Sequence, residues 1–185
     1  CDLGGLTAEQ LEPFTFGELA CSQLVFVNGC YSPDLSLLRP LPKGVKMGGL
    51  AAALKSDPEA VEPHLTRYAR YEDHAFAALN TAFIKDGAFI HLPEGTVLED
   101  PIHLLFVSTA RGEATVSHPR NLILTDANSQ ATIIESYVGL KDDVYFTNAV
   151  TEIVSGENAL IDHYKLQRES REGFHIATLQ VHLSR

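Results

Sequence analysis

Three histidines near the C-terminal end, His163, His175 and His182, are the residues best suited by type to hold a metal ion, because neutral imidazole is a frequent ligand. Their spacing argues against a shared site. His175 and His182 are seven residues apart, which puts their side chains on opposite faces of one straight strand. They are expected to be solvent-facing residues of a strand ladder. Glu135, Glu152, Asp162 and Glu169 are the residues from which a glycosidase could draw its paired carboxylates. Nothing in the sequence fixes such a pair, and the chain has no Trp to form a sugar platform. Cys1, Cys21 and Cys30 are odd in number and far apart, unlike the short pairs of zinc or redox sites, so they are expected as reduced thiols. No phosphate-binding loop, dinucleotide fingerprint or nucleophile elbow occurs. No residue is therefore assigned a catalytic or metal-binding role, and cofactor-binding residues stay unassigned.

Composition narrows the remaining functions. The 185 residues are 45% hydrophobic and 21% charged, the balance of a globular chain with ample side chains for a core. A formal charge of −10 repels a phosphate backbone, which argues against a nucleic-acid partner. The longest apolar run is well short of the ~20 residues of a membrane span, and no basic-then-apolar leader opens the chain. A cytoplasmic protein without a membrane partner is expected. Cys1 stands where an initiator Met belongs, and the chain stops inside the alternation from Val181 to Arg185, so a fragment at both ends is expected.

The elements that must position any site fall into two parts, a small α/β lead-in with short helices over residues 1–80 and a β domain over 81–185 cut short at its C-terminus. In the first, Gln23–Val27 reads as a strand closed by an Asn28-Gly29 turn, followed by a loop through Pro33, Pro40 and Pro42. Gly48-Gly49 reads as a hinge before a helix starting at Leu50, and Asp57-Pro58-Glu59 restarts a helix. Asp73 can cap another helix, in which Phe76, Leu79 and Phe83 share one buried face. After Gly87 every apolar run is short and rich in Ile, Val, Leu, Phe and Thr: 89–92, 102–107, 122–125, 131–138, 146–154, 159–166 and 174–183. Connections this short hold no crossover helices, leaving a sandwich such as a jelly roll, or a solenoid. An offset of 28 aligns Ala131 with Ala159, Ile133 with Ile161, Phe146 with Phe174, Ala149 with Ala177 and Ile153 with Val181. The repeat favours a parallel β-helix, with Ile133 stacked on Ile161 and Phe146 on Phe174. The last strand does not alternate strictly, so a bulge between Ile176 and Leu179 is expected. Its apolar residues, left without a cap, predict self-association into a homo-oligomer, with a protein partner pairing at the far end of the stack by the same physics.

The stretches Leu24–Gly29, Leu79–Phe83, Asp86–Ile90, Pro101–Phe106, Pro119–Ile123, Tyr145–Glu152, His163–Gln167 and Phe174–Thr178 are each short. Together, from about Leu24 to the end, they resemble the SufB/SufD family of the SUF iron–sulfur cluster assembly machinery. The SufB type carries a Cys after Glu-Gly where this chain has Glu135-Ser136-Tyr137-Val138-Gly139, a difference that places it on the SufD side. The resemblance implies a right-handed parallel β-helix flanked by helical regions and a structural role. It further implies pairing with a SufB-like subunit and docking of a SufC-like ATPase, with the iron–sulfur cluster assembled by the complex and no cofactor bound by this chain. The family's interfacial histidine and docking helices lie beyond Arg185, so no residue here inherits those roles. A carbohydrate-active β-helix enzyme, lyase or hydrolase, is the alternative, because β-helices also host such enzymes.

Overall fold

The computed structural model describes residues 5–72, 74–110, 113–141 and 143–184. Cys1 and the proposed cap Asp73 lie outside the described residues. Among the described residues eleven strands form two sheets that make the walls of a β-solenoid of about three turns. The strands are β1 (Ser22–Val27), β2 (Cys30–Leu37), β3 (Lys46–Gly49), β4 (Ala88–Leu92), β5 (Ile102–Ser108) and β6 (Thr115–Ser117). They continue with β7 (Arg120–Thr125), β8 (Gln130–Gly139), β9 (Tyr145–Ser155), β10 (Leu160–Arg168) and β11 (Phe174–Leu183). One wall runs β10-β8-β5-β1-β2 and the other β11-β9-β7-β4-β3, with β6 beside β9. From β7 onward consecutive strands alternate between walls and each pairs in parallel with the strand one coil away. That is the solenoid topology expected from the repeat.

The coil repeat is not one number. Phe146 pairs with Phe174, Ala149 with Ala177 and Ile153 with Val181, the expected offset of 28. In the other wall Ala131 faces Ile161 and Ile133 faces His163, so the expected pairing of Ile133 with Ile161 is two residues out of register. The corner explains it. Eight positions separate Val138 from Phe146, whereas six separate their partners Arg168 and Phe174. A slip of two keeps every side chain on its face, and Ile161 still packs on the core that holds Ile133. The register of β11 with β9 runs unbroken from Phe174 to Leu183, so the expected bulge is absent; Ile176 simply faces outward while Ala177, Leu179 and Val181 face the lumen.

The lumen is filled by Leu24, Phe26, Ile90, Leu104, Phe106, Ile123, Ile133 and Ile153, among others. Phe26, Phe106 and Tyr137 stack as a ladder, each ring 4.7 Å from the next. The outer faces are covered as well. Leu11 of α1 (Ala8–Leu11) packs with Val25, Leu105 and Val138 outside one wall. Leu50 of α2 (Leu50–Ser56) and Val61 of α3 (Pro58–Val61) pack with Phe89, Leu122 and Val154 outside the other. β7 has the lumen on one face and the helical cover on the other, so all six of its positions are buried, the polar Arg120, Asn121 and Thr125 included.

The opposite end of the stack from β10 and β11 is closed by the two antiparallel pairs, β1–β2 and β3–β4. The Asn28-Gly29 turn has φ of 48° and 80°, the left-handed pair that a two-residue hairpin needs. The loop expected through Pro33 is instead β2, an edge strand where a missing N–H is harmless, and its register with β1 shifts between Gln23 and Val25. Gly48-Gly49 is not a hinge but the end of β3. A Cβ on Gly49 would come within 2.9 Å of Tyr31, so the glycine lets the two capping strands close. This end is therefore no mirror of the other, against the expectation that both ends offer an open stack.

Three local readings change for identifiable reasons. Asp57 sits at the start of α3 as expected, but its carboxylate pairs with Lys46 rather than capping the helix. In α4 (Ala75–Ala82) the buried residues are Ala77 and Asn80, while Phe76 and Phe83 are exposed. Asn80 anchors that helix by polar contacts, donating to Pro119 and Asn148 carbonyls at 2.9 and 2.8 Å. Cys30 is disulfide-bonded, against the expectation of three reduced thiols, because distance along the chain does not set distance in space. Cys21 is the free cysteine among the described residues, its thiol pushed up by burial.

Candidate functional site

Register across the first wall places Leu24 beside Leu104, Leu104 beside Glu135, and Glu135 beside Lys165. One line of lumen positions thus changes from apolar to acidic to basic within four strands. Ionised groups inside a core are costly unless paired and hydrogen-bonded, so this end of the lumen is where the fold spends stability on something other than packing.

Glu135 is the buried centre. Its carboxylate accepts from Thr151 Oγ1 at 2.7 Å and from the Tyr137 hydroxyl at 3.0 Å, and His163 Nε2 stands 3.0 Å away. Thr151 in turn accepts from Asn121 at 3.0 Å, and Asn121 is fixed by the Ala88 N–H, so β4, β7, β8 and β9 all contribute. Burial pushes the Glu135 carboxyl up, but the His163 contact and the two hydroxyls more than offset it and leave the group below the usual carboxylate range. Tyr137 is driven well above its ordinary value by burial and by the Glu135 charge beside it.

A second group abuts the first. Lys165 Nζ lies 2.8 Å from His175 Nε2 and 4.8 Å above the Tyr137 ring, and the His175 ring meets Tyr137 edge-on at 4.6 Å. An ammonium only donates, so His175 accepts at Nε2 and carries its proton on Nδ1, which faces Glu169 Oε2 at 2.9 Å. That approach is short but badly angled, leaving His175 Nδ1 and Glu169 Oε1 buried without a well-aligned partner among the described residues. Burial lowers Lys165, and Glu135 and Glu169 act against it. Glu169 comes from the corner after β10, which is held by the Ser170 N–H donating to the Tyr145 hydroxyl at 2.9 Å.

The remaining candidates are elsewhere. His182 faces outward and its ring lies 4.8 Å from Tyr68, so it and His175 do occupy opposite faces of β11. His163 and His175 face the lumen rather than solvent, each against a carboxylate. Glu152 lies on the outside of the second wall, 2.7 Å from Arg120 with both side chains buried, and accepts the N–H groups of Thr66, Tyr68 and Ala69. Arg120 also reaches Asn80 and Thr81 of α4, so this pair fastens the helical segments to the wall. Asp162 is exposed on the outer face of β10. Lys165 and Tyr137 escaped the sequence reading. The signal available was the phase of Ala131, Ile133, Glu135 and Tyr137, which share one face.

Comparison with known proteins bears on what such a solenoid is for. A family model described as the SufBD protein N-terminal region matches residues 15–104, and one described as the SufBD core domain of SUF system FeS cluster assembly matches residues 106–185. An iron–sulfur cluster assembly SufBD family protein of Synechocystis is 34% identical over 178 residues, 92% of this chain and 39% of that protein. The iron–sulfur cluster assembly protein SufD of Bacillus subtilis is 28% identical over 134 residues, 70% of this chain and 30% of that protein. A chloroplastic protein of Arabidopsis thaliana, ABCI7, is 35% identical over 107 residues, 55% of this chain and 22% of that protein. The chain thus spans well under half the length of these relatives.

Proposed function

Because the chain belongs to the SufBD family of the SUF system for iron–sulfur cluster assembly, we propose that it is part of a SufD-type scaffold subunit without chemistry of its own. In this reading it pairs with a SufB-like subunit, is worked by a SufC-like ATPase in the cytoplasm, and serves a cluster that is the cargo of the complex rather than a resident group. The observation that supports it is that the SufBD N-terminal and core family models together match residues 15–104 and 106–185, the same residues that fold into the β-solenoid. The carbohydrate-enzyme reading gains no support from the carboxylates, since Glu152 is taken by Arg120 outside the wall and Glu135 by three donors inside it. No helix among the described residues is long and apolar enough to cross a membrane.

Co-expression of the full-length protein with SufB-like and SufC-like subunits tests the proposal. One co-eluting complex is expected, with ATP hydrolysis only when the SufC-like subunit is present. ATP turnover or polysaccharide cleavage by the full-length protein alone, or failure to enter the complex, would overturn it.

A further inference from the structure

β6 follows β5 in one coil, and β1 is the neighbour of β5 in the adjoining coil. β1 does not lead on to a strand beside β6, because the chain turns back at Asn28-Gly29 into β2. The β4–β7 register, continued backwards, sets residues 83–85 in line with 116–118, yet no backbone hydrogen bond joins the two runs. Pairing resumes only where the Arg120 N–H donates to the Asp86 carbonyl at 3.1 Å. β6 therefore pairs with β9 on one side and, among the described residues, leaves its other edge unpaired. A cleft of about 760 Å³ opens along that edge, lined by residues 115–118, residues 27–30, Phe83 and Lys85. We infer that this edge receives an extended peptide segment of a partner protein, which adds a strand to β6, sets apolar side chains against Phe83 and Val116, and gives a carboxylate to Lys85.

Three observations choose this occupant. Unpaired N–H and C=O groups along a strand edge are a template for one more strand, and main-chain pairing is what an extended peptide brings. Phe83 and Val116, on the two sides of the cleft, are each more than half exposed, so apolar side chains of that peptide find surface to cover. Lys85 has no hydrogen-bond or ion-pair partner among the described residues, and no acidic side chain is among the residues that line the cleft. On a chain of formal charge −10 this makes the cleft a cationic spot and sets the sign of the group it takes. β6 is three residues long, so the backbone bonds are few and selectivity falls to the side chains that flank them. The inference goes beyond the scaffold reading and does not rest on it, since its test needs no SUF subunit.

The test uses the full-length protein and, as probe, a fluorescein-labelled octapeptide of alternating Val and Glu, read by fluorescence anisotropy, with amide hydrogen exchange to locate the contact. Saturable binding is expected, with exchange slowed at residues 115–117. The same peptide with every backbone amide methylated keeps its side chains but cannot donate to β6, and should bind at least about tenfold more weakly. Replacing Glu by Lys in the peptide should also cost at least about tenfold, and Lys85→Glu, at an exposed position, should reverse that preference. Equal binding by the methylated peptide would show a cleft that takes an acidic, apolar molecule without strand pairing, and would overturn the inference. So would an unchanged charge preference in Lys85→Glu, protection that falls elsewhere than on β6, or no saturable binding below about 1 mM. Residues 115–117 already protected without peptide, with no peptide bound, would mean that another segment of the full-length chain fills the position, and would overturn it as well.

Discussion

The guanidinium of Arg120 and the carboxylate of Glu152 meet at 2.7 Å with neither side chain exposed, on the outside of the wall that the helical segments cover. Each also carries other partners: Glu152 collects three backbone N–H groups from residues 66–69, and Arg120 reaches α4. Breaking such a pair leaves a buried charge without its counterpart. Arg120→Met and Glu152→Gln should each cost about 3–5 kcal/mol, measured by urea denaturation, and both should expose the 62–72 segment to protease. A loss under about 1 kcal/mol in either would show that the pair is not the fastening.

Ile133 and Glu157 separate the wall interior from its corner. Ile133 is fully buried in the lumen, so Ile133→Ala should cost about 2–5 kcal/mol and Ile133→Asp should prevent folding. Ile161, half-buried on the last coil, should tolerate Asp less badly than Ile133 does. Glu157→Ala at an exposed corner should lie within about 0.5 kcal/mol of wild type. Equal effects at 133 and 157 in thermal melts would contradict the assigned faces.

His103 sets a pH dependence. Its ring lies between Gln23 Oε1 at 3.1 Å and Ser136 Oγ at 2.9 Å, under the Phe16 ring, and burial together with the Arg168 charge pushes it down to about 4. A histidine depressed in the folded state favours folding at neutral pH, and this contribution is lost as pH falls from about 6.5 toward 4, because only the unfolded chain takes the proton there. The window amounts to at most about 3 kcal/mol. His103→Gln should flatten the stability profile between pH 6.5 and 4; an unchanged slope would mean that the ring is not held neutral.

The chain of residues 1–185, expressed as such, presents Leu160, Phe174, Leu179, Val181 and Leu183 on its last coil, all more than 40% exposed. It should self-associate at tens of micromolar, whereas a protein extended by further coils should not. Sedimentation velocity of the two decides it. A monomeric 1–185 chain with Val181 amides protected from exchange would show the last coil to be closed already.

The seven strands from β4 onward, β6 aside, were legible because β-branched and apolar runs between polar corners leave few alternatives. β2 and β3 were not, since Pro33 and Gly48-Gly49 argue locally for loop and hinge and only a sheet edge and the close approach of Tyr31 make them strands. Phe76 and Phe83 misled because periodicity reports a helix's apolar face, whereas α4 docks through Asn80. At the site, Glu135, His163, His175 and Glu169 were visible by type but not as a group. A fixed offset cannot bring Lys165 to His175, ten residues on in the next wall; the turn of the corner does.

The antiparallel strands at one end have a consequence for heredity. A genetic duplication that adds one coil extends both walls by a single strand spacing, about 4.8 Å, without disturbing the closed end or the register of the coils already laid down. Descendants of such a gene can therefore vary in reach while sharing one origin of measurement, much as rulers of different length share a zero.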